Sequence, residues 1–526
     1  MNARDSASPP PPRHLVSVRF AATLGSNVLG LGASFLAALA VAKGLGPARY
    51  GDLCFLIACF AAVAPLLDMG SSSAFYTFLS RRRRAPFFFQ AYGLWLAAQM
   101  LVVLAAIAAA PAPWLDRLWL GQGRTLVFAA AGAGFLANQF WKCVSQIGES
   151  ARETIRVQAS GMLINVIHAA LMAALLFWSR MTVALVLAAI AAEYAVVGAG
   201  FLALFPWNSV VDPAEPRPSA NDLISEYARY CRPLVLAGWA GFLYIFTDRW
   251  LLQRFAGSVQ QGYFSLGSQF SAIGLIGAAS FVNILWKEVA QAHAAGDAER
   301  SGLLFARSSR ALYFLAAAAA CFAIPFSRDF LSRVLGPAYA GSWPTFAVLA
   351  LFPLHQTLGQ INATYFQAMA KTRLYMIFTV LTVAAALPLG YLVLAPASAL
   401  VPGLGLGSLG LAVKMVVLQA VLVNLQGAAI ARGEGWRWPL AHQFLSPCLL
   451  LALSALAYGA MSFIPADGPR VLIFIKIGAG GLLYAGAVAF LVVRFPALIG
   501  ADPESLRRWR ENARQYLWPQ TQTLKP

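Results

Sequence analysis

Long apolar runs alternate with short polar segments along the whole chain. A helix needs about 20 apolar residues to cross a hydrocarbon core roughly 30 Å thick, and fourteen runs reach or approach this length. They lie at residues 18–43, 52–79, 87–110, 125–149, 157–178, 182–205, 232–255, 261–286, 308–326, 344–369, 374–395, 405–430, 441–463 and 471–493. The pattern predicts an all-α, polytopic membrane protein with about fourteen transmembrane helices.

The polar segments between these spans are short, and one of them divides the chain. Residues 206–230 are Pro-rich and contain too few apolar residues for a core, so we interpret them as a cytoplasmic linker between six spans and eight. The polar N-terminus, residues 1–17, is predicted to be disordered, and the apolar run after it is too long for a signal-peptide core. In the basic tail, residues 495–526, helical spacing of apolar residues over 505–518 predicts a helix on the membrane surface, with a frayed segment as the alternative.

Composition and charge agree with this topology. Of the 526 residues, 59% are hydrophobic and only 11% are charged, whereas soluble domains carry about 25% charged residues. The net charge is +18, and the clearest basic loop is Arg81–Arg84, between spans two and three. Because Lys and Arg collect in cytoplasmic loops, both termini are predicted to be cytoplasmic. The positive charge therefore indicates topology and contact with anionic lipid, and not a nucleic-acid partner.

Several enzymatic chemistries have no support in the sequence. A phosphate-binding GxxxxGK[ST] loop does not occur, and the GxGxxG at Gly405, Gly407 and Gly410 follows no strand. The six cysteines form no CxxC pair, and the histidines lack metal-ligand spacing. The outer loops are too small for the active site of a membrane glycosyltransferase. The sequence thus predicts a protein that is not an enzyme and has no metal or bound cofactor.

Ionisable residues inside the spans give the strongest functional signal. Asp, Lys or Arg at the centre of a transmembrane helix costs about 2.5–3.5 kcal/mol on insertion scales, so such residues usually face a cavity or a partner. Those well inside the predicted spans, away from the span ends, are Asp68, Lys142, Glu193, Asp248, Arg249, Lys414 and Lys476. Arg19 lies near the cytoplasmic end of the first span. We expect some of these groups to line a polar interior.

Uncharged polar residues extend these positions into stripes at helical spacing. The stripe in span four contains Asn138, Lys142 and Gln146; span two continues Asp68 with Ser72 and Tyr76; and span ten carries Gln356, Gln360, Thr364 and Gln367 beside His355. Gln419 and Gln426 share a face of span twelve. Hydrogen bonding in a dry helix interface is the alternative for any one stripe. Clear stripes in both halves of the chain favour a hydrated cavity.

The signs of the charges suggest two roles. Cations facing a wet interior replace part of the hydration of an anionic cargo such as a pyrophosphate, whose unpaired burial costs tens of kcal/mol. The predicted cargo-binding cations are Arg19, Lys142, Arg249, Lys414 and Lys476. Asp68, Glu193 and Asp248 are predicted to bind a coupling H⁺ or Na⁺. For Asp248, an ion pair with the adjacent Arg249 is the alternative.

A loop signature occurs twice at corresponding places. "GLGPARYG" (44–51) and "AGSVQQGY" (256–263) each contain two glycines five positions apart, and each separates two apolar runs. Glycine permits a tight turn and Pro47 interrupts a helix. We predict the same helix-hairpin corner in both halves, with "LGPAY" (335–339) as a related string at another loop. The signature is therefore structural, and its repetition favours a two-lobed transporter.

Three segments together resemble a known family. They are "AKGLGPARYGDLCFL" (42–56), "TDRWLLQRFAGSVQQGYFSLGSQF" (247–270) and "RVLGPAYAGSWPTFAVLAL" (333–351). With fourteen spans and a central cytoplasmic linker, the chain resembles the polysaccharide transporter family. This family includes O-antigen and exopolysaccharide flippases of the multidrug/oligosaccharidyl-lipid/polysaccharide (MOP) exporter superfamily. The resemblance implies two MATE-like lobes, residues 18–205 and 231–431, around a central cavity, with two appended spans in 440–494. It also matches Asp248 and Arg249 to a recurrent Asp-Arg of the family.

The resemblance implies a function as well. The expected activity is alternating-access transfer of an undecaprenyl-pyrophosphate-linked oligosaccharide from the cytoplasmic to the periplasmic leaflet of a bacterial inner membrane. The expected partners are this lipid-linked oligosaccharide and membrane lipids, with a polysaccharide polymerase and a chain-length regulator as further candidates. A lipid II flippase and a MATE-type drug/cation antiporter are alternatives on the same scaffold. A membrane glycosyltransferase and a non-transporting scaffold protein fit the sequence less well.

Overall fold

The computed structural model describes most of the chain. It covers residues 13–273, 275, 285, 288–292, 294–436, 438, 440–464 and 469–501. Within these ranges it describes side chains from residue 29 onward, apart from those of residues 31, 237, 273 and 470. The surface helix predicted at 505–518, residues 1–12 of the predicted disordered N-terminus and most of the end of span eight lie outside the described residues.

The described residues are predominantly helical. In chain order the helices are α1 (Arg13–Asp68), α2 (Ser71–Arg81), α3 (Pro86–Ala109), α4 (Ala112–Trp119), α5 (Arg124–Phe135), α6 (Trp141–Ser150), α7 (Thr154–Phe177), α8 (Val183–Ala203), α9 (Ala220–Ile273), α10 (Ala298–Phe330), α11 (Trp343–Ala350), α12 (Phe352–Ala368), α13 (Thr372–Leu394), α14 (Gly407–Glu434), α15 (Leu440–Ala460) and α16 (Arg470–Arg494). Among the described residues, nine helices are long and apolar enough to cross a membrane. These helices confirm the predicted all-α, multi-pass membrane architecture.

The predicted spans and the helices correspond, although not one to one. The segment α1 comprises two helices joined at Gly46, which carry span one and the start of span two. Likewise α9 comprises two helices joined at Gly257, which carry span seven and the start of span eight. Span four consists of α5, a π-helical turn at Leu136–Phe140 and α6, whereas span ten consists of α11 and α12. Fewer described helices than predicted spans reach membrane-crossing length, because α1 joins parts of two spans, spans four and ten are assembled from shorter helices, and much of span eight lies outside the described residues.

The repeated loop signature is a backbone corner that occurs three times. Gly46 has φ 73° and ψ 167°, and Gly257 has φ 82° and ψ 175°. Gly336, in the related "LGPAY" string, has φ 111° and ψ 169°. This region of backbone conformation is accessible essentially to glycine alone. A second glycine follows each corner by five positions: Gly51, Gly262 and Gly341. The repeat therefore reflects one backbone requirement met at three separate places.

Two of these corners support the start of α14. The side-chain oxygen of Gln260, three residues after Gly257, accepts hydrogen bonds from the Ser408 backbone N–H at 3.1 Å and from its hydroxyl at 2.5 Å. The Ser408 hydroxyl also lies 2.8 Å from that of Thr345, which follows the corner at Gly336. These contacts satisfy a first-turn N–H that has no partner within the helix. They fix the helix that carries Lys414.

The chain divides into two compact units, residues 1–254 and 255–526. A buried cluster in unit 1 is rich in aromatic residues and includes Phe75, Phe78, Phe88, Tyr92 and Phe201. In unit 2 a large cluster includes Tyr313, Leu354, Leu358, Val423 and Leu450. The boundary between the units falls within α9. The lobes predicted on either side of residues 206–230 stay a prediction.

The 206–230 segment packs against the basic loop of unit 1. The Arg84 N–H donates to the Val210 carbonyl, and the Asp212 N–H donates to the Arg84 carbonyl, both at 2.9 Å. The Arg84 guanidinium lies 3.1 Å from a Glu226 carboxylate oxygen and 5.0 Å from the centroid of the Phe88 ring. Its residue is only 6% exposed, whereas the three preceding arginines are exposed. Arg84 is thus a buried structural cation, because pairing and ring contact stabilise its charge.

Candidate functional site

The second span is broken near its middle. Helix α1 ends at Asp68, and Met69 and Gly70 take left-handed φ values of 48° and 84° before α2 begins. A Cβ at Gly70 would lie 2.6 Å from a methyl carbon of Leu234 in α9, so the chain requires glycine here. A Cβ at Gly238, one turn further along α9, would lie 2.9 Å from the Pro65 carbonyl. Close packing against α9 therefore fixes the break.

Asp68 accepts hydrogen bonds from donors at the start of α2, where the break interrupts the hydrogen bonding of the helix. Its carboxylate accepts hydrogen bonds from the Ser71 hydroxyl at 2.9 Å, the Ser72 N–H at 2.8 Å and the Ser72 hydroxyl at 2.7 Å. The Trp95 indole donates in turn to the Ser71 hydroxyl at 3.1 Å. A carboxylate at the start of a helix is stabilised by the free N–H groups and by the helix dipole. Asp68 thus stabilises the start of α2 inside a predicted span.

Lys142 from span four completes this site. Its Nζ lies 3.7 Å from Asp68 Oδ2, and its side chain is 50% exposed while that of Asp68 is 14% exposed. The contact is longer than a charge-assisted hydrogen bond, which is typically about 2.7–2.9 Å. Lys142 follows the π-helical turn at Leu136–Phe140, a feature often found at functional sites. The ammonium therefore has a carboxylate nearby and retains surface for a second anion.

The other members of the span-four stripe have separate environments. The Asn138 amide donates to the Gly134 carbonyl at 2.8 Å, within its own helix. The Gln146 side-chain oxygen is buried and has no hydrogen-bond partner among the described residues. Because a π-helical turn contains an extra residue, the simple i, i+4 pattern does not carry one face unchanged from Asn138 to Lys142. Their placement along a cavity stays a prediction.

A second polar pair links the two spans that follow. His168 Nδ1 in α7 lies 2.9 Å and 3.2 Å from the two carboxylate oxygens of Glu193 in α8. The Glu193 side chain is 2% exposed and that of His168 is 21% exposed. The sequence predicts Glu193 as an ion-coupling residue and indicates no role for His168. The sequence did contain a signal for this pair, because a histidine lies in the middle of one span and a carboxylate in the middle of the next. Together they form a polar pair between spans five and six, with the carboxylate buried.

Asp248 and Arg249 lie in α9, within unit 1. Asp248 is buried, and the electrostatic neighbours of Arg249 include Asp248, Cys54 and Cys59. Nearby, Asp52 Oδ1 accepts hydrogen bonds from the side-chain amides of Gln122 at 2.9 Å and Gln253 at 3.0 Å. Asp52 was not selected from the sequence, because it follows the loop signature directly. These contacts connect α9 to the start of span two.

Unit 2 contains a polar seam between α12 and α14. The Gln419 amide donates to the Gln356 side-chain oxygen at 2.9 Å. The Gln360 side-chain oxygen and His355 Nδ1 are buried and have no hydrogen-bond partner among the described residues. Lys414 is 5% exposed on the same helix as Gln419. Buried polar atoms without protein partners usually bind water or ligand, so this seam is a candidate polar lining.

Lys476 has a different environment from Lys142. Its Nζ lies 2.8 Å from Asp329 Oδ2, which also accepts a 3.0 Å hydrogen bond from the Tyr458 hydroxyl. The ammonium lies 4.4 Å from the centroid of the Tyr458 ring, and its side chain is only 4% exposed. Asp329 was not selected from the sequence, because it lies just beyond predicted span nine. Lys476 is therefore engaged in an ion pair, and cargo binding at Lys476 stays a prediction. Cargo binding at Arg19 also stays a prediction, because the Arg19 side chain lies outside the described residues.

Comparison with known families decides the classification. The model of the family described as polysaccharide biosynthesis protein matches residues 19–287, just over half of the chain. This chain belongs to that family. Among solved structures, this family member is similar to the lipid II flippase MurJ in an inward closed conformation. The TM-score is 0.65 at 12% identity, over 92% of this chain and 99% of MurJ.

A second structural match places the fold in a wider group. An inward-facing multidrug resistance MATE family transporter of the MOP superfamily matches with a TM-score of 0.53 and 14% identity. The match covers 79% of this chain and 94% of that transporter. No curated protein matches the sequence of this family member. The fold of the chain is thus that of MOP-superfamily transporters, as the sequence resemblance implied.

Proposed function

We propose that this protein is a flippase for an undecaprenyl-pyrophosphate-linked oligosaccharide, an O-antigen or exopolysaccharide repeat unit. It moves the cargo from the cytoplasmic to the periplasmic leaflet of a bacterial inner membrane by alternating access. The observation that carries the proposal is the half-exposed Lys142 beside the break in span two, in a chain of the polysaccharide biosynthesis family. Its partners are the lipid-linked oligosaccharide and membrane lipids, with a polymerase and a chain-length regulator as protein candidates.

The geometry at the break supports binding of a diphosphate. Lys142 supplies a cation, while the N-terminus of α2 supplies the positive end of a helix dipole and the Ser71 and Ser72 donors. Broken helices with N-termini directed at anionic groups are a recurring feature of transporter binding sites. An anionic cargo would compete with Asp68 for these donors. Recognition of the diphosphate at this position needs no contact with a particular sugar.

Competition between the cargo and Asp68 also suggests how an ion gradient is coupled. A proton or Na⁺ bound to the Asp68 carboxylate would weaken its attraction for Lys142 and leave the ammonium free for the diphosphate. Release of the ion would restore the pair and displace the anion. The buried Glu193–His168 pair, linked at 2.9 Å, is a second position at which a proton can be held. Coupling ions are therefore proposed to act within unit 1.

Lys142→Ala tests the proposal. We expect it to reduce transfer of a fluorescent undecaprenyl-pyrophosphate oligosaccharide across proteoliposome membranes by about tenfold, with less surface polysaccharide in a deletion strain. Lys371→Ala is the matched control, because Lys371 also pairs with a carboxylate, that of Glu434, but lies between two spans. Lys142→Arg should retain most of the transfer. Full activity of Lys142→Ala at a normal protein level would contradict the proposed cationic site.

The same assay separates the proposed cargo from lipid II. The structural likeness to MurJ shows the fold and does not choose between lipid-linked cargos. We expect this protein to transfer the lipid-linked oligosaccharide repeat unit. We also expect that it does not restore growth of a strain depleted of its lipid II flippase. Replacement of that flippase, with no transfer of the repeat unit, would favour the alternative.

A further inference from the structure

Unit 1 contains an apolar groove whose lining does not include the polar residues of the candidate site. Its volume is about 710 Å³, within the roughly 300–1,000 Å³ that is usual for ligand pockets. Spans two and three and the short helix α4 line most of it, and Trp250 of α9 completes the lining. Among the lining residues in the described part of unit 1, only Arg117 is charged. The lining is therefore suited to a hydrocarbon chain and not to a sugar.

The dimensions of the groove match one leaflet. One wall extends along α1 from Phe60 to Leu67, and the other extends from Val102 in α3 to Ala110, directly after this helix. At 1.5 Å per residue these walls are about 10–12 Å long. With α4 added, the groove extends through about half of a core roughly 30 Å thick. One end is at Leu67, directly before Asp68 at the break. The other end is at α4, at the opposite end of α3 from the basic Arg81–Arg84 loop.

Specific contacts keep the groove open by fixing α4. The Trp250 indole donates to the Leu118 carbonyl at 3.0 Å, and the Trp119 ring stacks on Phe60 at a centroid distance of 4.8 Å. After α4, the Gln122 amide donates to Asp52 at 2.9 Å. These bonds join α4 to spans two and seven. The wall formed by α4 is therefore preorganised.

The charge at the α4 end favours an anionic head group. Arg117 is exposed at this end, and Arg124 lies nearby, where its guanidinium donates to the carbonyl of Ala110, a lining residue, at 2.6 Å. The adjacent Asp116 offsets one of these two positive charges, so the net charge at this end stays positive. A phosphate at the membrane surface beside a basic side chain is a common mode of lipid recognition. A chain in the groove would then point from this surface toward the membrane centre.

We propose that this groove holds the polyprenyl tail of the transported lipid after transfer, with its diphosphate at Arg117. The inference rests on the proposed function, because it assigns the groove to the product of that reaction. A tail that extends from α4 to Leu67 has the orientation of a lipid in the outer leaflet. The diphosphate would thus move from Lys142, beside the break, to Arg117 at the surface. The groove therefore serves as the product-release site of unit 1.

Two adjacent alanines provide a matched test. Ala106 lines the groove, whereas Ala105 is exposed on the same helix and does not. The full chain in proteoliposomes is exposed to a polyprenyl diphosphate with a photoreactive group in its tail, and the labelled peptides are mapped. We expect labelling in residues 60–67 and 102–110, a loss of about tenfold in Ala106→Trp, and no change in Ala105→Trp. Equal labelling of all three proteins would overturn the proposal.

Competition identifies the occupant. Excess unlabelled polyprenyl diphosphate should displace the label, whereas excess phosphatidylglycerol should not. Arg117→Gln should weaken competition by polyprenyl diphosphate while leaving competition by uncharged polyprenol unchanged. If phosphatidylglycerol displaces the label equally well, the groove holds bulk phospholipid and the proposal fails.

The transfer rate, measured in the same vesicles, separates this proposal from the proposed function. Transfer without specific labelling would refute the product groove and leave the flippase proposal in place. Labelling that polyprenyl diphosphate displaces, without any transfer, would support lipid binding in the groove and count against the flippase proposal.

Discussion

The Lys142 ammonium lies 3.7 Å from the Asp68 carboxylate, which simultaneously accepts three hydrogen bonds from Ser71 and Ser72. The two charged residues are unequal partners. Asp68 is held by the start of α2, while Lys142 is half exposed and makes only a long contact. A partly exposed pair of this kind contributes little to stability, typically about 0–1 kcal/mol. Its charges are therefore available for function.

Asp68→Asn should uncouple transfer from the ion gradient. The amide oxygen can still accept from the start of α2, but it no longer attracts Lys142 or binds a coupling cation. We expect the cargo to bind more tightly and its transfer to lose its dependence on a proton or sodium gradient. Cargo affinity and transfer rates with and without each gradient provide the measurement. Unchanged gradient dependence would place the coupling ion elsewhere.

Glu193→Gln should affect coupling without removing the cargo site. The substitution keeps a polar partner for His168 at the 2.9 Å contact. The glutamine side chain carries no charge, so it cannot take up and release a proton as a carboxylate can. We expect proton-driven transfer to fall about tenfold, while downhill transfer without a gradient changes little. His168→Gln should give the same result. Additive losses in the double variant would show that the two residues do not act as one proton site.

Gly70→Ala should destabilise the break in span two. A Cβ at this position meets the Leu234 side chain at 2.6 Å, and a φ of 84° is unfavourable for alanine. We expect a loss of about 1–3 kcal/mol in stability, seen as a lower unfolding temperature in detergent. Gly459→Ala is the control, because nothing lies within 4 Å of a Cβ there and its φ is not positive. Adding Leu234→Ala should recover only part of the steric loss, because the Leu234 Cβ itself lies 2.8 Å from the added Cβ. Equal stability of Gly70→Ala and Gly459→Ala would contradict the expected strain.

Lys476→Met should reduce stability and not cargo recognition. Removing one partner of a buried ion pair typically costs about 3–5 kcal/mol, because the other charge stays buried without its partner. We expect the double variant Lys476→Met with Asp329→Asn to recover most of this loss, since the Tyr458 hydroxyl can still donate to the new amide. Unfolding temperatures and transfer rates per folded molecule distinguish the two roles. Normal stability with lost transfer would support the predicted cargo contact at Lys476.

Local features of the chain were predictable because they depend on neighbouring residues. The corner at Gly46 and its repeat at Gly257 followed from glycine spacing, and the structure gives both glycines nearly the same φ and ψ. The break after Asp68 was not predicted. The run at 52–79 is apolar enough overall to predict one continuous span despite the serines at 71–73, and the break is instead fixed by close packing of Gly70 and Pro65 against α9. Sequence hydropathy does not record such a contact.

Partners were harder to predict than the charged residues themselves. Lys142 and Lys476 were equivalent in the sequence, as lysines inside apolar runs. In the structure Lys142 is half exposed, whereas Lys476 is enclosed by Asp329 and Tyr458. His168 received no role, because its partner Glu193 is 25 positions away in the next span. Nothing in the local pattern distinguishes these cases.

The sequence by itself determined the membrane class, the helical spans and the glycine corners, because these follow from apolar run length and from backbone freedom at single residues. Only the tertiary structure decided that Asp68 caps a broken helix, which cation stays accessible, and that spans two and three form a groove with α4. These features depend on contacts between helices far apart in the chain. Close packing between these helices determines them. Hydropathy describes each residue by its own polarity, so it cannot distinguish a paired charge from an unpaired one.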